Sequence, residues 1–507
     1  MPSRRPPLAL TLLILIISLP LTLPFLYVLL RTADVGWARS MALLWRPRMW
    51  DLLSNTLLLM LLVTFFSIVI GTLCAFWLER YRFWGKAFFQ VAMTLPLCVP
   101  AFVSCFTWIS LTFRVEGFWG TIMIMTLSSF PLAYLPVAAT LKRLDRSFEE
   151  VSLSLGKSSA YTFFHSVFPQ LKPAIGSSIL LIALHMLVEF GAVSILNYQT
   201  FTTAIFQEYE MSFNNATAAL LSAVLLAVCF IVVSAEILFR GKAKRYHSGK
   251  GVLRPYPVKP LKPGKQILLM IFFSALFILS IGVPVSTLLY WLVIGTSGQN
   301  AWQYSAFFDA FTHSLIISAL GAAVTVLAAL PLVWAAVRYQ SRLTVWVDRL
   351  PYLLHAVPGL VIALSLVYFS INYARPLYQT FFVVVAAYFM LYLPMAQTTL
   401  RSTLEMLPEN IEKVAQTLGR GNFYIFRTLI VPAILPGIAA AFALVFLNLM
   451  KELTATLLLT PDDIKTLSTA VWEYTSDAQY AAATPYAIML VLFSGIPVFL
   501  LKKYAFK

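Results

Sequence analysis

Apolar runs of similar length recur along the whole chain, each bounded by a short polar or charged break. In the first half they cover Leu8–Leu30, Leu52–Leu78, Ala87–Phe113, Gly117–Leu141, Pro173–Asn197 and Phe213–Ala235. In the second they cover Gln266–Ile294, Ala310–Val337, Leu350–Ala374, Pro376–Leu400, Ala433–Leu459 and Ala478–Leu501. A helix needs about 20 apolar residues to cross the hydrocarbon core of a bilayer, and every run reaches that length. None alternates as the roughly ten-residue strands of a membrane barrel do. The pattern predicts an all-α membrane protein with about 12 transmembrane helices, six in each half. The first run follows Arg4 and Arg5 as a signal peptide would. It is longer than a usual h-region and no small-x-small cleavage site follows, so it reads as a retained first helix.

Composition agrees with that reading. The 507 residues are 60% hydrophobic and 11% charged, against about 45–50% and about 25% in soluble domains. The net charge of +16 would suit a nucleic-acid binder if the basic residues were clustered. They lie instead in the breaks. With the N-terminus inside, the inner segments hold 29 Lys and Arg, the outer loops hold 7, and Lys451 falls within a span. Such a bias orients membrane proteins. It predicts both termini in the cytoplasm, membrane lipid as the surrounding partner and no nucleic acid. The outer loop with Arg31, Arg39, Arg46 and Arg48 runs against the trend. It would suit either acidic knobs of a binding protein or lipid headgroups. Cys74, Cys98, Cys105 and Cys229 sit inside apolar runs without a CxxC or His/Cys cluster, and read as packing residues rather than metal ligands.

The halves repeat. Arg80-Tyr81 and Pro100 recur at Arg338-Tyr339 and Pro358, 258 residues on; Gly156, Pro169, Pro173 and Glu189 recur at Gly419, Pro432, Pro436 and Glu452, 263 residues on. An even number of helices per copy predicts two parallel repeats about an axis along the membrane normal. The boundaries are drawn at 1–240 and 265–507. Between them lies a basic linker, 241–264, extended and cytoplasmic; Arg240 to Lys265 holds nine Lys or Arg and four Pro.

The largest inner loop of each half carries a motif. The first reads Glu149-Glu150-Val151-Ser152-Leu153-Ser154-Leu155-Gly156, with Pro169 thirteen residues on. The second reads Glu412-Lys413-Val414-Ala415-Gln416-Thr417-Leu418-Gly419, then Pro432. An amphipathic segment ending at a turn-forming Gly, followed by a short helix and a Pro that opens the next span, can press into a groove on a partner. The pattern resembles the EAA loop of binding-protein-dependent ABC importer permeases. Val151 and Ser152 replace its two alanines, and Lys413 stands at its Glu position. The sequence has no GxxxxGK[ST] phosphate loop. The resemblance therefore implies a type I ABC importer permease that is not itself an enzyme and binds no cofactor. Two ATP-binding cassette subunits would dock on the two loops and hydrolyse ATP, and a periplasmic substrate-binding protein would deliver the cargo. The setting is the bacterial inner membrane.

The stretch Lys451-Glu452-Leu453-Thr454-Ala455-Thr456-Leu457-Leu458-Leu459 and its first-half counterpart around Glu189 resemble ferric-iron importer permeases with both halves fused. Fused permeases for thiamine, polyamines or phosphonates share this architecture. An ion-coupled secondary transporter would also give parallel halves and a basic linker, but not the paired Gly–x12–Pro loops. Charge inside a span costs roughly 2.5–3.5 kcal/mol on insertion scales and usually faces a cavity or partner. Glu189, Lys451 and Glu452 are thus candidates to line a translocation pathway. Alternatively, Lys451 neutralises Glu452 and His185 hydrogen-bonds Glu189. His313 and His355 read as packing residues, and Pro96, Pro100, Pro358 and Pro394 as helix kinks.

Overall fold

The computed structural model describes residues 6–144, 147–240, 259–297, 304–339, 341–354, 356–408 and 410–505, apart from some side chains at helix ends. Most of the linker (241–258), His355, and the side chains of Glu412 and Lys413 lie outside the described residues.

The chain is helical almost throughout. Its elements are α1 (Leu8–Val35), α2 (Pro47–Arg80), α3 (Ala101–Leu111), α4 (Phe118–Lys142), α5 (Ser147–Ser154), α6 (Phe168–Val188), α7 (Gly191–Ile195), α8 (Phe201–Glu210), α9 (Asn215–Arg240) and α10 (Pro263–Ile294). There follow α11 (Tyr304–Arg338), α12 (Gly359–Tyr373), α13 (Phe381–Leu404), α14 (Asn410–Thr417), α15 (Val431–Leu449), α16 (Thr454–Leu459), α17 (Leu467–Ser476) and α18 (Tyr480–Ala505). Two-residue strands β1 (Tyr81–Arg82) and β2 (Lys259–Pro260) pair in parallel and pin the end of the linker beside α2.

Among the described residues nine helices are long and apolar enough to cross a membrane, and two bent pairs raise this to eleven. The runs Ala87–Phe113 and Leu350–Ala374 are not straight spans. Lys86–Cys98 meets α3 at 92°, and Arg342–Leu354 meets α12 at 108°. Pro100 and Pro358 stand immediately before the second arms with φ near −55°, in extended rather than helical conformation. A Pro cannot donate the backbone bond that would carry the helix through. The twelfth run is α18, whose apolar part is the shorter Tyr480–Ile496.

The compact units do not coincide with the repeats. One comprises residues 1–40, 208–223 and 303–470; the other 41–207, 224–302 and 471–507. In the first, α1 packs on α12: Tyr27 lies 5.6 Å from Tyr368 between ring centroids, and the Arg31 guanidinium sits 5.4 Å from the Tyr368 ring. α11, α13 and α15 form its centre around the buried Tyr388. In the second, α2, α4 and α6 pack together, and α10 joins them through Phe273, whose ring stacks on Phe83 at 5.8 Å and meets Phe89 at 5.3 Å.

Gly71 lets α2 and α4 touch backbone to backbone. A Cβ there would lie 2.7 Å from both the Phe130 carbonyl oxygen and the Ala133 Cβ. Gly71→Val should therefore lower stability by about 1–3 kcal/mol, as overpacking does. Gly176→Ala, in α6 with nothing within 4 Å, should be neutral or stabilising. Thermal unfolding of the detergent-purified protein measures both.

Candidate functional site

Two kinds of site recur in both halves: the EAA-like loops, and the breaks after α6 and α15.

Each loop closes identically. Gly156 and Gly419 both adopt φ +75°, in the left-handed region open to Gly. The Gly156 and Lys157 amides donate to the Leu153 and Ser152 carbonyls at 3.0 and 3.2 Å; those of Gly419 and Arg420 donate to Gln416 and Ala415 at 3.0 and 3.1 Å. This paired closure is a Schellman motif, which satisfies the last carbonyls of α5 and α14. The following side chain caps a ring: Lys157 lies 5.1 Å from the centre of Tyr161, and Arg420 4.8 Å from Tyr424. Next come the five-residue π turns Phe163–Val167 and Phe426–Ile430, and then α6 and α15, each with its proline, Pro169 or Pro432, as second residue. A proline ring clashes with the carbonyl four residues back. Those carbonyls belong to His165 and Thr428, inside the widened turns.

Glu149 and Glu150 have opposite surroundings. Glu149 is buried, 2.5 Å from the Arg80 guanidinium at the end of α2. Glu150 is at the surface. In the second half the Arg80 counterpart, Arg338, donates to the Leu407 carbonyl at 3.2 Å, on the segment leading into α14. An apolar pair stands outward on both loops: Val151 and Leu155 are 58% and 72% exposed, Val414 and Leu418 58% and 74%.

At the breaks, α6 ends at Val188 and α15 at Leu449. In each next short helix an opening amide is met by the acid that precedes it. The Glu189 carboxylate accepts from the Ala192 amide at 3.0 Å, and Glu452 accepts from Ala455 at 3.1 Å. The carbonyls of the same two residues accept from Thr202 and Ser468 hydroxyls, both at 2.7 Å. The second carboxylate oxygens differ. That of Glu452 accepts from the Tyr392 hydroxyl at 3.0 Å. That of Glu189 lies 3.8 Å from His185 Nε2, beyond hydrogen-bond reach. Lys451 is half-buried.

The sequence reading missed a clamp on each break. The Asn55 amide donates to the Gln199 carbonyl at 3.2 Å, and Thr56 Oγ1 accepts from the Phe201 amide at 3.1 Å. Equivalently, His313 Nδ1 lies 3.3 Å from the Lys465 carbonyl, and Ser314 Oγ accepts from the Leu467 amide at 2.8 Å. The signal was present: Ser54-Asn55-Thr56-Leu57 and Thr312-His313-Ser314-Leu315 are matching polar triplets inside apolar spans. Among the described residues no group of three or more His, Cys, Asp or Glu is placed to hold a metal.

If the Glu carboxylates cap these breaks, Glu189→Ala should lose about 0.5–2 kcal/mol of stability, the usual worth of a capping acceptor. Glu189→Gln, whose amide oxygen still accepts, should retain it. Glu452→Ala should lose more, because Tyr392 loses its acceptor too. Thermal melting of the three purified variants checks the order.

The model of the family described as "Binding-protein-dependent transport system inner membrane component" matches twice, at residues 67–246 and 328–505. The chain is 77% identical over 504 residues to "Fe(3+)-transport system permease protein FbpB 2" of Haemophilus influenzae, covering 99% of this chain and 100% of the relative. It is 23% identical over 409 residues to "Ferric transport system permease protein FbpB" of Actinobacillus pleuropneumoniae, covering 76% and 58%. It is 28% identical over 251 residues to "Sulfate transport system permease protein CysT" of Escherichia coli, covering 45% and 90%. Two copies of one family pattern, in a chain matched end to end by a permease, make this protein a member of the family of inner-membrane components of binding-protein-dependent transport systems.

Proposed function

We propose that the chain is the fused permease subunit of an ABC importer that passes ferric iron from a periplasmic binding protein to the cytoplasm. Two separate ATPase subunits supply the energy, one on each EAA-like loop. The observation that carries the docking is the repetition of the loops: the same Schellman closure, the same outward Val/Leu pair and the same cation over a Tyr ring. An apolar pair held out on a rigid turn suits a hydrophobic groove on a partner. Of the two acids in the first loop, Glu150 faces outward and suits a basic residue there, while Glu149 is engaged by Arg80. The charge bias of the loops supports cytoplasmic termini.

The cargo rests on the full-length 77% identity to an Fe(3+) permease. Carboxylate chemistry favours the same cargo. Glu189 and Glu452, with Lys451 beside the second, line the pathway, and oxygen ligands suit hard cations. Two such acids would repel sulfate, the anion named for the shorter relative.

Two experiments test this. Gly156→Val and Gly419→Val strain a left-handed backbone by about 1–2 kcal/mol, with no atom within 4 Å to clash. ATPase subunits should copurify with either variant about tenfold more weakly, Asn at the same positions being milder, while membrane insertion stays normal. Undiminished copurification would remove the docking. Separately, Glu189→Gln keeps the cap and removes the charge. Reconstituted ferric-iron uptake should fall severalfold at wild-type thermal stability; full uptake would leave that acid a purely structural cap.

A further inference from the structure

The long helices α2 and α11 are each held by both kinds of site. At one end of α2, Arg80 holds Glu149 of the loop helix α5 at 2.5 Å. Toward the other end, nine residues in from Pro47, Thr56 accepts from the Phe201 amide, and the adjoining Thr202 holds the Glu189 carbonyl. In α11, Arg338 holds the Leu407 carbonyl before α14, and Ser314 accepts from Leu467, next to Ser468 on the Glu452 carbonyl. Thr56 to Arg80 and Ser314 to Arg338 are the same interval within the repeat, 24 residues. That interval is about 36 Å of helix, roughly the full thickness of a bilayer.

We propose that α2 and α11 are the rods by which each EAA-like loop moves its own break, and that Thr56 and Ser314 are the positioning residues that attach rod to break. The proposal rests on the reading of the loops as ATPase docking sites. Three features give it physical content. Each rod is one continuous helix. The attachment at the break is a side chain on a backbone amide, so displacement of the rod acts on the chain path and not merely on a rotamer. Lastly, Phe201 and Leu467 are the first residues of α8 and α17, so the bond holds the start of each helix. Loss of one neutral hydrogen bond should shift the coupling by about two- to tenfold.

The experiment uses the whole permease with its ATPase subunits and binding protein in proteoliposomes, reading radiolabelled ferric-iron uptake and ATP hydrolysis in the same vesicles. Thr56→Val and Ser314→Ala should leave ATPase association and basal hydrolysis unchanged, and raise the ATP consumed per iron about two- to tenfold. Thr56→Ser and Ser314→Thr, which keep the hydroxyl, should restore the ratio. Combining Thr56→Val with Arg80→Lys should give a defect no larger than the worse single change, since both cut one rod. An unchanged ratio in the Val and Ala variants overturns the proposal. So does multiplication of the Thr56 and Arg80 effects, as distant independent sites would give. Failure of the wild-type chain to bind ATPase subunits overturns the docking reading itself, and the proposal with it.

Discussion

A chain that crosses a hydrocarbon layer has no water to satisfy its backbone, so every break in a helix must be answered by the chain's own side chains. The breaks after α6 and α15 show how fully that demand is met. One residue in each, Glu189 or Glu452, accepts a helix-opening amide with its carboxylate and a hydroxyl with its carbonyl. The first amide of the following helix α8 or α17, at Phe201 or Leu467, is met from a different helix by Thr56 or Ser314. The geometry of the breaks is therefore set by α2 and α11 as much as by the segments that contain them.

The same demand shapes the loops. The last carbonyls of α5 and α14 are satisfied within the Schellman turn, which only a left-handed residue permits. The prolines that open α6 and α15 then widen the preceding turn. These features are identical in both halves because they are dictated by backbone accounting. What surrounds them is not. The first loop is anchored by a buried ion pair, Arg80–Glu149, at 2.5 Å. The second anchor is a guanidinium on a neutral carbonyl, which asks for no buried acid.

Much of this was legible in the sequence. Helical spans follow from run length, and the repeat offsets placed Gly156 with Gly419 and Glu189 with Glu452 correctly, as their shared hydrogen bonds show. Pro100 and Pro358 read as helix kinks, and bends of 92° and 108° stand there; their size was not legible, because apolar run length carries no direction. The packing of α1 on second-half helices and of α10 on first-half helices was not legible. Contacts between distant segments leave no periodicity in either one. His313 read as a packing residue; beside Lys465 it does the work Asn55 does beside Gln199, an equivalence visible only when the triplets are aligned by the repeat.

The second carboxylate oxygens bear on why the breaks carry acids at all. A neutral amide at either position would accept the Ala192 or Ala455 hydrogen bond, with no ion to place among apolar segments. Both breaks instead carry an acid. Capping needs only an acceptor, which an amide also offers. The neighbours of the second oxygens differ: Glu452 meets the Tyr392 hydroxyl at 3.0 Å, and Glu189 faces a partly exposed His185 at 3.8 Å. Both residues share the cap, the hydroxyl on the carbonyl, and a carboxyl group at equivalent places in two parallel repeats. Under the proposed function an acid has a purpose there that an amide would not serve, since carboxyl oxygens suit a hard cation in transit, and the cap holds the group in place between passages.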